Sequence, residues 1–331
     1  MRKFLPLLVM LLACMLFSAA AEGTTVYTCG DYQYILLEDG SAFITYYSGR
    51  DELLIIPEKL NSHPVSSISQ DAFNFNSPIK EVTLPDSITH FPANPFMYCT
   101  DLSKINVSSE NQHFTVIDGV LLDKAETTLI CYPCALDASD YTIPQGVLTI
   151  GPYAFFFSKL SSIIIPDSVE TIGDNAFRYC ESLSDISIPS TVNSIGNGVF
   201  FCCYGIRQIT IPDGVTSIGD LTFHSCVGLS QITLPDSITS IGDSAFFYCP
   251  LLKNITLPNG LISIGQNAFS ECGSLARVTI PNSVVSIGEN AFMNPNESIL
   301  FSVSEGSYAE KWVIENNLEY QFTNAPDSLK N

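Results

Sequence analysis

Pro166-Asp-Ser-Val-Glu-Thr-Ile-Gly-Asp-Asn-Ala-Phe-Arg-Tyr-Cys-Glu-Ser-Leu-Ser-Asp-Ile-Ser-Ile188 states a unit that the chain then repeats. Pro166, Pro189, Pro212, Pro235, Pro258 and Pro281 follow one another at intervals of 23 residues. Between them recur the Ile-Gly pair, a small residue before Phe, a Cys and an L-x-x-I-x-I ending. A fixed period of roughly 20–50 residues is the signature of a solenoid or an array.

Each recurring position has a physical reading. Leu183 to Ile188 alternates apolar and polar residues, which predicts a short strand with one buried face; Pro189 ends it because proline has no N–H for a ladder. The glycines of Ile-Gly (Gly173, Gly196, Gly219, Gly242, Gly265, Gly288) read as corners that need a backbone angle side chains disfavour. The phenylalanines that follow (Phe177, Phe200, Phe223, Phe246, Phe269, Phe292) fall on one spoke of every coil and should stack as a buried aromatic row. A single coil cannot bury its own inner face, so neighbours must complete it.

The portion Leu183-x-x-Ile186-x-Ile188 resembles the leucine-rich repeat. The whole unit, I-P-x-S-V-x-x-I-G-x-x-A-F-x-x-C-x-x-L-x-x-I-x-I-P, is similar to the BspA-type (treponemal) leucine-rich repeat of bacterial surface proteins, over roughly residues 50 to 320. That resemblance implies a β-rich right-handed superhelix of short strands and 3-10 turns, displayed outside the cell for adhesion or recognition, with no catalytic residues to carry over. A right-handed parallel β-helix is the alternative fold, although the Asn and small-residue stacks usual there are missing.

A chain of 331 residues exceeds a usual single globular core, but a solenoid grows by adding coils, so one elongated domain is expected. About ten coils between two caps would make a body roughly 45–50 Å long at about 4.8 Å per coil. Apolar residues are 46% and charged residues 15%, which excludes disorder. The net charge of −20 becomes −22 if Arg2 and Lys3 leave with a leader, and it argues against nucleic acid, which needs a clustered basic surface.

Residues 1–21 read as a secretory signal: Arg2-Lys3, an apolar run from Phe4 to Phe17, then Ser18-Ala19-Ala20-Ala21. Leu11-Leu12-Ala13-Cys14 offers the alternative of a lipoprotein anchored through Cys14. No later stretch has the length and apolarity of a membrane span. Residues 22–52 predict a β-hairpin cap around Glu38-Asp39-Gly40. The solenoid occupies 53–300. Within it the period breaks at about 109–140, where Val116 to Tyr132 reads as a hairpin replacing most of a coil, either a binding element or a spacer. In 301–331, Ser307 is an N-cap for a helix through Ile314 that closes the second end, and a tail follows.

Six of the eleven cysteines (Cys99, Cys180, Cys203, Cys226, Cys249, Cys272) stand fourteen residues after the coil proline position, so they form a column. Buried thiols are expected there, because equivalent atoms of stacked coils lie about 4.8 Å apart whereas a disulfide brings Cβ atoms to about 3.8 Å. Cys131-Tyr132-Pro133-Cys134 has the spacing of a thiol oxidoreductase, but it lies at a strand end rather than a helix N-terminus; a local disulfide or two free thiols is the reading. His63, His90, His113 and His224 fall in different coils without ligand spacing, so neither a metal site nor a cofactor site is expected. Asp174, Asp220 and Asp243 after Ile-Gly read as solvated turn residues.

One surface stands out. Five of the twelve basic residues beyond the leader fall on solvent-facing strand positions, against two acidic ones. The face carries Lys80, Lys104, Arg207, Gln208, Gln231, Lys253, Asn254 and Arg277, with threonines beside them. The expectation is a secreted or surface recognition protein without catalysis, binding an extracellular protein or glycan, including an anionic one, through this face. The competing classes are a structural spacer, a thiol oxidoreductase at Cys131 and Cys134, and a polysaccharide-active β-helix.

Overall fold

The computed structural model describes residues 25–73, 77–294 and 299–323. The expected leader, Cys14 and the last part of the tail lie outside them.

The L-x-x-I-x-I segment forms a three-residue strand in coil after coil. Asp185–Ser187 lies parallel to Ser162–Ile164, with Ile163 opposite Ile186 on the inner side. Among the described residues eleven such strands of three or four residues, from Leu53–Ile55 to Tyr320–Phe322, and a single bridge at Asn254 make a stack of about twelve turns. That exceeds the expected ten because Leu300–Val303 and Tyr320–Phe322, in the segment assigned to the second cap, continue the ladder in parallel.

A second ladder was not legible in the sequence. The Ser-Ile or Thr-Ile pair before each glycine is a two-residue strand, as in Ser240–Ile241 paired with Ser217–Ile218 and Ser263–Ile264. The wall opposite is built from turns. There, alternate N–H groups bond within the coil from residue i+3 back to i, as Ala176 to Gly173 and Cys180 to Phe177 do. The intervening N–H groups reach the next coil: Asn175 to Asn197 at 2.8 Å, Phe177 to Val199 at 3.0 Å, Tyr179 to Phe201 at 2.8 Å. Every turn thus satisfies its backbone on a neighbour, which is why coils are stable only as a stack.

The Ile-Gly glycines do not have the positive φ expected of them. Their reason is proximity: a Cβ on Gly265 would stand 2.5 Å from the carbonyl carbon of Gly242, and one on Gly288 would stand 2.4 Å from the nitrogen of Gln266. The left-handed positions come two and six residues later, and they carry Asn175, Tyr179, Cys202, Leu221, Ser225, Ser244, Tyr248 and Asn267 with φ between 54° and 62°. Leu221 is the least suited, because a side chain at this φ costs roughly 1–2 kcal/mol that Asn largely avoids. Leu221→Asn, the residue that Asn175 and Asn267 supply in sister coils, is therefore expected to stabilise the protein by about 1 kcal/mol, read as a raised denaturation midpoint. A lowered midpoint would show that the Leu221 side chain contributes more packing than strain.

The aromatic row forms as expected. Phe177, Phe200, Phe223, Phe246, Phe269 and Phe292 stack with centroids 5.0–5.6 Å apart and planes within 14°. Tyr132 supplies the ring of the inserted coil, stacked on Phe155 at 5.3 Å.

The insertion proves to be core. Phe114–Ile117, Val120–Asp123 and Thr128–Cys131 form an antiparallel meander, turning at Asp118-Gly119 with both φ positive. Successive side chains of a strand point to opposite faces. Leu121 accordingly packs on a cluster reaching back to Tyr34 and Val120 and Leu122 on the cluster that runs forward to Val313, while a register irregularity, with Leu121 opposite Cys131 and Leu122 opposite Leu129, lets Cys131 join the first cluster and Leu129 the second. The meander is a partition between two cores.

At the N-terminal end, Tyr27–Cys29, Tyr32–Leu36 and Ala42–Tyr47 form an antiparallel sheet that joins the stack through His63–Ile68. At the other end, the helix Tyr308–Glu315 starts with the Ser307 hydroxyl accepting from the Glu310 N–H at 3.1 Å, and buries Ala309 and Val313. Trp312 stands edge-on to Phe292 and Phe301, covering the last ring of the row.

Candidate recognition face and the buried thiols

On the strand face the central residue of each triplet points inward and its neighbours point out. In Gln208–Thr210, Gln231–Thr233 and Arg277–Thr279 the isoleucine or valine is buried and the flanking residues are exposed. Parallel register aligns Gln208 with Gln231 and Gln231 with Asn254, an amide ladder, and Thr210 with Thr233 beside it. Ile55 and Ile164, 73% and 59% exposed where neighbouring turns place a hydroxyl or amide residue, are apolar exceptions.

The five basic residues do not make one stripe. Lys80 and Arg207 immediately precede the strands Glu81–Thr83 and Gln208–Thr210, and Lys253 immediately precedes the bridge residue Asn254. Lys104 and Arg277 occupy the first strand position, in the adjoining column. Two of the five are engaged: Lys80 Nζ bonds Glu52 at 2.8 Å, and Lys104 Nζ bonds Glu81 at 2.8 Å. Glu52 holds the Lys80 ammonium above the usual lysine range, and Lys104, with help from Asn106, holds the Glu81 carboxyl below the usual carboxylate range. Asp140 in Asp140–Thr142 adds another carboxylate, because the residues read as the end of the insertion form a regular face strand. The N-terminal half of the face is consequently charge-balanced. The two salt bridges found among the described residues involve neither Arg207, Lys253 nor Arg277, and all three side chains are exposed.

Strand pairing lapses between Asp185–Ser187 and Gln208–Thr210. The interval opens as a shallow groove of about 370 Å³, lined by Asp185, Ser187, Gln208, Thr210, Gln231 and Thr233.

The cysteine column is a set of hydrogen-bond donors. The thiols of Cys180, Cys203, Cys226, Cys249 and Cys272 each donate to the carbonyl of the phenylalanine one coil back, at 3.0–3.1 Å. Cys99 is also buried and free. Burial pushes the thiols of Cys99, Cys180, Cys203, Cys226 and Cys249 well above the ordinary cysteine range. Cys131 and Cys134 stand as buried free thiols, with Cys134 donating to the Phe156 carbonyl at 3.0 Å. Burial pushes Cys131 far up and Cys134 up to about 12, the opposite of what a thiolate nucleophile requires.

Among the described cysteines only Cys29 is partly exposed. In the native protein lacking residues 1–21, a thiol reagent should therefore modify Cys29 quickly and the nine buried thiols only after denaturation. Rapid labelling of several in the native state would contradict the column. A released count short by two would reveal a bridge between Cys131 and Cys134.

Two features escaped the sequence reading. Asp174, Asn197, Asp220 and Asp243 are not merely solvated: each side-chain oxygen accepts the backbone N–H of the residue one coil on, at 2.7–2.9 Å. A carboxylate or amide repeating at +23 was the available signal. The other is a second aromatic row outside the turn wall, where His224 lies flat between Phe201 at 4.5 Å and Phe247 at 4.9 Å, and the Arg178 guanidinium covers Phe201 at 3.9 Å. Its members differ from coil to coil, so no single letter marks the position.

A parallel stack with one polar, regularly spaced face and a turn wall behind it defines a repeat solenoid. The sequence model of the BspA type leucine rich repeat region matches residues 54–118, 132–229 and 216–331 in six copies, and the chain belongs to that family. Among solved structures, a leucine-rich repeat protein from Eubacterium ventriosum is similar over 83% of this chain and 95% of its own, with 23% identity and a TM-score of 0.63. A leucine rich cell surface protein from Faecalibacterium prausnitzii aligns over 93% of this chain and 97% of its own, with 22% identity and a TM-score of 0.46. No curated protein matches the chain by sequence. Among the described residues no helix is long and apolar enough to cross a membrane.

Proposed function

We propose that this protein is a secreted or cell-surface recognition protein that captures an extracellular protein or glycan on its strand face without catalysis. The observation that carries the reading is the amide ladder Gln208, Gln231 and Asn254, flanked by exposed threonines on a rigid parallel stack. Side chains held in register one rung apart present a repeated, pre-ordered set of donors and acceptors, so binding an extended partner sacrifices little conformational freedom on the protein side. Membership of a repeat family found on bacterial surface proteins and the signal-like residues 1–21 support export, with Cys14 as the site of a lipid anchor if the leader is of the lipoprotein type.

The test is a binding screen of the protein lacking residues 1–21 against immobilised extracellular-matrix proteins and glycans. Capture by the native protein that is lost when Gln208, Gln231 and Asn254 are all changed to Ala supports the reading. Absence of capture across the screen favours a spacer instead.

A further inference from the structure

We infer that the C-terminal half of the strand face, from Arg207 to Thr279, is a site for a linear acidic polysaccharide bearing its charges on alternate sugars. The inference rests on the recognition reading above and narrows it to one ligand class and to one half of the face. Charge comes first. Lys80 and Lys104 are consumed by Glu52 and Glu81, whereas Arg207, Lys253 and Arg277 are exposed and stand outside both salt bridges of the described residues. Between Arg207 and Thr279 the outward strand positions hold Gln208, Thr210, Gln231, Thr233, Asn254, Thr256 and Thr279, with no carboxylate. On a chain of net charge −20 this is a local cationic strip, and the field of the remaining surface turns a polyanion away from other approaches.

Spacing then selects the ligand. The rungs recur at about 4.8 Å, so Arg207 and Lys253, two rungs apart, hold their charges roughly 10 Å apart along the stack. An extended pyranose spans about one rung, so a carboxylate on every second sugar meets Arg207 and then Lys253. Its hydroxyls fall meanwhile on the Gln208–Gln231–Asn254 ladder and the threonines. Arg277, one rung past Lys253 in the adjoining column, meets a charge on the flank of the chain. An acidic peptide fits less well. Its side chains on one face recur every second residue, about 6.6 Å apart, short of the roughly 10 Å between Arg207 and Lys253, and the N–H and C=O groups between Gln208–Thr210 and Gln231–Thr233 are already engaged with each other.

The test uses the protein lacking residues 1–21 and a fluorescent hyaluronan dodecasaccharide, a β-linked polymer with a carboxylate on every second sugar. A neutral β-linked glucan oligosaccharide and poly-glutamate serve as comparators. Hyaluronan is expected to bind, more weakly as salt shortens the Debye length below about 8 Å. Arg207→Ser/Lys253→Ser/Arg277→Ser is expected to weaken binding roughly tenfold or more, and Lys80→Ser/Lys104→Ser to leave it within about twofold. Both variants should keep the native melting temperature, since surface substitutions usually shift stability by less than about 0.5 kcal/mol. If a variant melts lower, the salt dependence and the poly-glutamate comparison on the native protein carry the test. Equal loss in the two variants, equal affinity for poly-glutamate, or no hyaluronan binding would overturn the inference. If hyaluronan fails while another ligand is lost on changing Gln208, Gln231 and Asn254, the recognition reading stands and only the polysaccharide assignment falls.

Discussion

Phe223→Ala is expected to destabilise the protein by about 3–5 kcal/mol, the range for truncating a buried phenylalanine that leaves a cavity. Phe223 is fully buried, stacked on Phe200 at 5.4 Å and on Phe246 at 5.3 Å with planes within 14°. Collapse into the space is blocked, because the backbone around each ring is fixed by cross-coil bonds: Phe223 N–H to the Ala245 carbonyl at 2.7 Å, and the Cys249 thiol to the Phe223 carbonyl at 3.1 Å. The hole also severs a continuous row, so the coils on either side lose their shared interface. In a stack where each coil contacts only its neighbours, that uncouples the two halves and broadens the denaturation transition. Chemical denaturation of native and variant proteins checks this. A loss under about 1 kcal/mol with an unchanged transition width would mean that the rings contribute area but no coupling.

Acid should weaken the fold through His224. Its ring is sandwiched between Phe201 and Phe247, and the Ser225 hydroxyl lies 2.9 Å from Nδ1. Burial, and then the positive charge of Arg178, lower its pKa to about 4. The folded state thus holds the neutral imidazole while the unfolded chain takes up a proton near pH 6.5. The stability contributed by the neutral ring is complete above pH 6.5 and is lost as pH falls from there towards 4, at up to about 1.4 kcal/mol per unit and roughly 2–3 kcal/mol in all. His224→Phe preserves the stack and has nothing to titrate. Melting temperatures of the two proteins should be similar at pH 7 and diverge at pH 4.5, with the native protein lower. Parallel acid shifts would place the sensitivity elsewhere.

The 23-residue period made much of this architecture legible, because a residue repeated at a fixed offset in a stack must form a column. The phenylalanine row, the buried thiols and the outward strand positions followed from that alone. What the period concealed were interactions between columns. Gly265 looked like a corner glycine because a close approach and a positive φ leave the same letter; only the distance to Gly242 separates them. The left-handed positions carry Asn, Leu, Ser, Tyr and Cys because stacking forces their φ, and the glycine at one of them, Gly198, is too isolated to mark the position in the other coils. Two-residue strands such as Ser240–Ile241 are too short to show alternation. On the face, the one-letter pattern counted cations, but it did not show that Lys80 and Lys104 reach back to Glu52 and Glu81.

The inserted meander illustrates a deeper limit. Its residues lack the period, so they read as a hairpin replacing most of a coil, a binding element or a spacer, and nothing in them signalled that Val120, Leu121, Leu122 and Leu129 are fully buried on both sides of it. Removing it would open both cores, so a role in binding has to be probed by substitution at its exposed turn, around Glu126, and not by deletion.

The central claim is that the strand face, and not the insertion or the aromatic turn wall, captures the ligand. The most direct measurement compares capture of one screened ligand by three variants of matched stability: Gln208→Ala/Gln231→Ala/Asn254→Ala on the face, Lys124→Ser/Glu126→Ser on the meander, and Tyr248→Ser on the turn wall. The account predicts loss of capture in the face variant and native capture in the other two. Native capture by the face variant, with loss in either of the others, would contradict it.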